Sequence, residues 1–231
     1  RHRFFHWELA FADIFSGRGG FDLGIGNPQW LKLEWDESGI LGERNPIAAI
    51  RDLNAAELGR SRDEAFSRFP NLKLEWTAEL EAAEASQAFL NGLQNFPLLK
   101  GMKANLYKCF LPLGWNLATT NGVVGYLHPE GPYDDPEGGN LRKNLYYRLR
   151  MHLQFVNEFK LFSEVDNHTK FSINLYAGVK PQICFDHIAN LFLPITVDQC
   201  YANTGAPVVE GYKNKYGKWN TAGSANRVIR V

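Results

Sequence analysis

The chain has 231 residues, 45% of them hydrophobic and 13% aromatic, enough to bury one sizeable core and unlike a disordered or collagen-like composition. Lys+Arg and Asp+Glu stand at 25 each, so the net charge announces no nucleic acid, and any DNA contact has to come from local patches. No run approaches the roughly 18 apolar residues of a membrane span, and the first residues lack the apolar stretch of a signal peptide, which predicts a soluble, cytoplasmic chain with no membrane partner. Cys109, Cys184 and Cys200 are odd in number and widely spaced, which argues against a disulfide framework or a structural zinc; all three read as buried or inert thiols.

Along the chain, residues 15–20 (FSGRGG) read as a surface turn, and residues 21–26 (FDLGIG) as a buried strand stopped by Asn27-Pro28. From about residue 36 to 100 the texture becomes charged and Ala-rich, with apolar residues at three- and four-residue intervals: a helical insertion of two or more helices broken near Pro70. Residues 105–119 are again helix-periodic, with Pro112 a kink and Asn121-Gly122 the close. A strand is predicted at 123–127 (VVGYL), then a Pro/Gly/Asp-rich loop from His128 to Gly139, then a helix over 140–151 with Asn140 as N-cap. Residues 153–159 and 171–176 alternate as strands, and their connection of about a dozen residues is too short for a helical crossover, so this pair is expected to be antiparallel. The pattern is α/β: a partial Rossmann-like sheet, mixed, with parallel strands plus an antiparallel terminal hairpin. Residues 181–231 lack a clear period and read as an irregular extension with a weak strand at 227–231.

The sharpest motif is Gly26-Asn27-Pro28-Gln29-Trp30, placed directly after the first strand, where ligands of open α/β sheets sit. Asn-Pro alone is a common turn and Trp30 alone an ordinary core anchor. Here, however, the motif resembles the signature of the amino-methyltransferases, and further blocks (NLYKCFL, GVVGYLHPEGPYDDPEGGNLRKNLYYRLR, FVNEFKLFSEVDNHTKFSINLY, FDHIANLF) are similar, in order, to those of large bacterial N6-adenine DNA methyltransferases of restriction-modification and of BREX- and DISARM-like phage defence. The resemblance implies that residues 1–180 form the catalytic half of a class I methyltransferase domain and that 181–231 lead toward a target-recognition region.

It further implies S-adenosylmethionine as cofactor, with its main binding motifs outside this chain, and DNA as partner, alongside other restriction or defence-system subunits. Asn27 and the Pro28 carbonyl would accept from the adenine amino group, and Trp30 would stack on a base flipped out of the duplex. Pro129 and His128 would line the base pocket. Phe171 matches an aromatic that faces the base from the other side, or is a core residue at the start of a strand. Gln29 departs from the pattern, which has a second proline there. As half a domain, the fragment is expected to expose an apolar strand edge, to self-associate or be completed by its N-terminal half, and to be inactive alone. A non-catalytic DNA-binding or interaction module derived from a methylase is the alternative, and the motif does not separate adenine N6 from cytosine N4.

Other matches carry less. FSGRGG imitates a nucleotide-binding turn, but such a turn opens a helix, whereas here a strand follows at once. His128-Pro129-Glu130 fits the H-x-E of zinc deaminases without the P-C-x-x-C that must follow. Glu158-Phe159-Lys160 reads as core strand with ordinary charges. Arg142, Lys143, Arg148 and Arg150 suggest either a phosphate-contacting or a solvated helix face. His2, His6, His152, His168 and His187 show no metal-ligand spacing.

Overall fold

The computed structural model describes residues 5–32, 34–51, 53–103, 105–202, 216 and 218; among them five strands form one sheet. These are β1 (Phe21–Gly26), β2 (Ala118–Pro129), β3 (Leu149–Val156), β4 (Lys170–Tyr176) and β5 (Asp186–Leu191), in spatial order β1-β2-β4-β3-β5. β1 runs parallel to β2, β4 lies antiparallel between β2 and β3, and β5 runs parallel to β3. The fold is therefore α/β with a mixed sheet, compatible with a Rossmann-like arrangement, and the antiparallel pair expected from the short connection between residues 156 and 170 is present.

Helices α1 (Trp7–Ala10) and α2 (Ala12–Arg18) precede β1. Between β1 and β2 come α3 (Glu37–Gly42), α4 (Pro46–Ile50), α5 (Ala55–Arg68), α6 (Leu72–Asn91) and α7 (Leu106–Leu117); α8 (Gly131–Asp134) and α9 (Gly139–Tyr146) join β2 to β3, and α10 (Ile195–Ala202) follows β5. The chain divides into two compact units. A sheet unit takes in residues up to Asn27, Trp115–Tyr133 and those from Leu145 onward, and a helical unit takes in Pro28–Gly114 and Asp134–Asn144.

The helical unit follows from local signals. Asn54 closes a capping box on α5: its side chain accepts from Ala56 N and Glu57 N, and the Glu57 carboxylate accepts from Asn54 N, an arrangement worth about 1 kcal/mol. Asp36 and Asn45 cap α3 and α4 without the reciprocal bond, their side chains accepting from Gly39 N and Ile47 N, and Pro46 takes the first turn of α4, where its missing N–H costs nothing. Pro70 separates α5 from α6 as its restricted backbone requires. Leu41, Ala48, Ala65 and Leu72 form the core of this unit, with Phe66, Phe69 and Trp76 packed against it. Lys108 and Asp135 add a buried ion pair at 2.8 Å.

In the sheet unit, the register divides the side chains into two unlike faces. His128, Ser172, Asn174, Tyr176, His152 and Gln154 share one face; Leu127, Phe171, Ile173, Leu175, Leu153 and Phe155 share the other. The polar residues are the more buried set. His128, Ser172 and Asn174 are wholly covered, whereas Ile173 and Leu175 are half-buried and, at β1, Leu23 and Ile25 are 61% and 79% exposed. Among the described residues β1 pairs only with β2, which leaves its other edge open.

The structure corrects several sequence expectations. Residues 15–18 belong to α2, so FSGRGG is half helix and half turn. Asn121-Gly122 does not close α7. β2 begins at Ala118, and the pair lies in an irregular stretch where the register jumps from Phe21↔Ala118 to Leu23↔Val123. Asn140 sits inside α9, not at its cap, because a short 3-10 turn over Pro136–Gly138, capped by Asp135, runs straight into the helix. The helix ends at Tyr146 and residues 149–151 join β3, since pairing with β4 outweighs their helical periodicity. Residues 181–202 are not irregular: β5 and α10 form there, and β5 gains its place by pairing with β3 and not through an alternating pattern of its own. The strand expected at 227–231 lies outside the described residues.

Candidate acceptor site and its buried support

Asn27 follows the last residue of β1 and is exposed at the carboxyl end of the parallel β1/β2 pair. Beneath it, Gly26 pairs with Tyr126, and a side chain added at Gly26 would meet the Tyr126 ring at 3.3 Å; the strand end is thus kept low by a tyrosine packed over it. Pro28 is buried, Gln29 exposed and Trp30 half-buried. Asn27 closes the sheet unit and Pro28 opens the helical one. An exposed amide oxygen at a strand mouth can accept from an N–H donor.

At the end of β2 the structure assembles what sequence reading missed. His128 is fully buried, and its Nδ1 lies 2.7 Å from the Pro129 carbonyl. A carbonyl only accepts, so Nδ1 carries the proton and Nε2 is the acceptor, taking hydrogen bonds from the Tyr176 hydroxyl at 2.9 Å and the Asn174 amide at 3.0 Å. Burial lowers the His128 pKa to about 4, consistent with a neutral ring. Asn174 also donates to Ser172 Oγ at 2.9 Å and accepts from the Tyr133 hydroxyl. Tyr133 stacks on His152 at 4.3 Å, and His152 in turn stacks on His187 at 4.8 Å.

Glu130, 8% exposed, completes the network: its carboxylate accepts from His152 Nε2 at 3.2 Å and Gln154 Nε2 at 2.7 Å. Burial pushes this carboxyl up, but hydrogen bonds from His152, Ser172 and Gln154 outweigh it and hold the pKa below the ordinary value. The signal available in the sequence was the period-two run of polar residues: Ser172, Asn174 and Tyr176 on one strand, His152 and Gln154 on another. Such a run ordinarily marks the solvent side of a sheet.

The other candidates fall in varied places. Pro129 is half-buried at the end of β2. Phe171 is 2% exposed on the opposite face from His128, stacked on Phe155 at 5.6 Å and edge-on to Phe162 at 5.0 Å. The structure therefore brings all three to one strand end but divides them between the two faces of the sheet: Pro129 pairs with Phe171, whose ring lies in an aromatic core cluster, and His128 pairs with Ser172 on the other face. The four basic residues do not share a helix face: Arg142 and Lys143 lie on α9, Arg148 precedes β3 with its guanidinium 5.0 Å from the Trp115 ring, and Arg150 is in β3, bonded to the carbonyls of Arg148, Leu149 and Gly178. Glu158-Phe159-Lys160 is an exposed turn and not core strand, with Lys160 left-handed at φ 53°. Cys109 is buried, and burial raises its pKa to about 11, but Cys184 is exposed and Cys200 half-buried. Among the described residues no cluster of three or more His, Cys, Asp or Glu could hold a metal ion. No helix among them is long and apolar enough to cross a membrane.

S-adenosylmethionine, which the resemblance implies, would need a Gly-rich turn that opens a helix and aims its N–H groups at the ligand. The GRGG segment does the reverse: Gly19, at φ 77°, ends α2 with its N–H on the Phe15 carbonyl. Gly20 passes so close to the chain entering β2 that a Cβ there would lie 2.6 Å from the Leu117 carbonyl. Both glycines serve helix termination and close approach, so the segment does not fit a donor site and no step is derived through that group.

No family model and no curated protein matches the sequence. A solved structure similar to the chain is the ATP-dependent Type ISP restriction-modification enzyme LlaBIII bound to DNA, at 11% sequence identity and a TM-score of 0.37, over 86% of this chain. The match takes in 14% of that enzyme's own length.

Proposed function

We propose that the chain is the acceptor-side half of a DNA methyltransferase that modifies adenine at N6, within a bacterial restriction-modification or phage-defence system. The observation that carries this reading is the exposed Asn27 immediately after β1, followed by a buried Pro28, in a chain whose sequence blocks resemble those enzymes in order. The exocyclic amine of adenine is a poor nucleophile because its lone pair is delocalised into the ring. The Asn27 side-chain oxygen and the Pro28 carbonyl would accept from its two N–H groups and favour the pyramidal, attacking form, and Trp30 would stack on the extrahelical base. Pro129 contributes to the wall of the pocket. His128, being fully buried, acts through Pro129 and not by touching the base. The methyl donor, S-adenosylmethionine, is held by another part of the protein, whose strand pairs with the open edge of β1. The unpaired backbone edge of β1 supports that pairing, and the exposed Leu23 and Ile25, which share one face of the strand, are in keeping with a further element packed on that face.

Incubating the complete protein with isotopically labelled S-adenosylmethionine and unmethylated bacterial genomic DNA, followed by nucleoside analysis, should yield N6-methyladenine. N4-methylcytosine would move the reading to the sister chemistry. Absence of any methylated nucleoside would leave a non-catalytic module, a reading favoured by Gln29, whose extra N–H and freer φ loosen the loop.

A further inference from the structure

The residue that follows β2 and leads into α8 is Glu130, a carboxylate almost wholly removed from water. Its backbone carbonyl accepts from Tyr133 N at 2.8 Å, which folds the chain back into α8, while its side chain reaches across to β3. His152 and Gln154, two residues apart on that strand, present their donors to its two oxygens, one each. Tyr133, three residues further along the loop, is locked from the same side by its ring stack on His152 and its hydroxyl on Asn174. The loop is thus pinned at both ends of its first turn by residues of β3 and β4, strands that do not themselves reach the Asn27 motif in the spatial order of the sheet. A buried carboxylate without such partners would be too costly to keep charged, so the clamp and the charge require each other.

We propose that Glu130 is a positioning residue for the acceptor pocket: clamped by His152 and Gln154, its carboxylate fixes the path of the backbone from Pro129 to Tyr133, and through it the wall against which the target base is held. This rests on the methyltransferase reading for the identity of the pocket, but the fixing of the loop does not. Grip on the DNA backbone is a separate, largely electrostatic matter, so disturbing Glu130 acts after DNA is bound. A residue with a purely structural role would lower the melting temperature and leave the kinetics of the folded enzyme unchanged; a positioning residue changes kcat.

The test uses Glu130→Gln in the complete protein, with methyl transfer to unmethylated bacterial genomic DNA and backbone amide exchange read together. The expected result is a kcat reduced about tenfold or more with KM for DNA within about twofold, and exchange at the Tyr133 amide, which is bonded to the Glu130 carbonyl, accelerated at least tenfold. His152→Phe, which keeps a ring against Tyr133 while removing the donor to Glu130, should move both readouts in the same direction and serves if Glu130→Gln does not fold. Unchanged kcat per folded molecule in an active enzyme overturns the proposal. If wild-type protein transfers no methyl group, the methyltransferase reading fails on its own, and exchange alone then decides: unaltered protection of the loop in the variant refutes the clamp, and selective loss of it sustains the clamp.

Discussion

β1 and β4 are similar in length and both were legible as strands, yet they sit in opposite circumstances. β4 is central, paired on both sides, and its polar residues Ser172 and Asn174 are inaccessible to water. β1 lies at an edge, and its most apolar residues, Leu23 and Ile25, are the ones left exposed. Hydrophobicity thus reports what a strand would bury if covered, while burial itself depends on which neighbours are present. A polar strand can be driven inside when its partners satisfy every donor and acceptor, and an apolar one stays outside when nothing packs on it.

The contrast can be broken in order of expected effect. The largest concerns the mouth of β1: Asn27→Ala in the complete protein should reduce methyl transfer by about 100-fold or more, in the range found when one preorganised polar group is removed, with circular dichroism and melting temperature unaltered. Activity retained would reject the role given to Asn27. Next, Asn174→Leu removes an amide that serves Tyr133, His128 and Ser172 together, leaving buried polar atoms unsatisfied; urea unfolding should show a loss of about 3 kcal/mol. A loss under about 1 kcal/mol would mean that the network is ornamental to stability.

A smaller effect should follow from pH. The unfolded chain takes up a proton on His128 near its ordinary value of 6.5, but the folded chain does so only near 4. The unfolded state therefore binds more protons in that window, and stability is full above it and lost as pH falls through it, by about 2 kcal/mol at pH 4.5. Glu130, whose folded pKa is lowered, adds to the loss only in more acidic solution, as its carboxylate becomes protonated. Chemical unfolding between pH 7 and 4.5 reads this directly, and Asn174→Leu should alter the profile because it removes a donor to His128. The smallest change in stability, under about 0.5 kcal/mol, is expected for Leu23→Lys with Ile25→Lys, since both side chains are already exposed. Sedimentation should nevertheless show less self-association of the 231-residue chain, and an unaltered tendency to associate would place the sticky surface elsewhere.

Legibility followed the range of the interactions. Helices of the insertion are legible in the sequence through the spacing of their apolar residues and the break at Pro70, signals that act within a turn; their individual starts at Asp36, Asn45-Pro46 and Asn54 with Glu57 emerge from the structure. The motif at Asn27 was readable because strand end and turn adjoin in sequence. β5 was not, because its place depends on β3, more than 30 residues earlier, and the basic array was misread because a helix period ran on into residues that pair as strand. In the sequence Glu130 stands out only within a metal motif that fails, and His128 within that motif and as a wall of the base pocket implied by the resemblance; nothing nearby announces that residues 152, 154, 172, 174 and 176 would close around them.

The sequence by itself determined the alternation of β4 and β3, the helical period of the insertion with its break at Pro70, and the placing of Asn27-Pro28 at the end of an apolar run. Each of these depends on neighbours within a few residues. Only the tertiary structure decided that the polar side of the alternation is the more buried one and that the Glu130 carboxylate is held from β3. The reason is physical: period two tells which side chains share a face, but whether a face meets water depends on what is laid across it, and Tyr133 and the chain around it come from a different stretch of sequence.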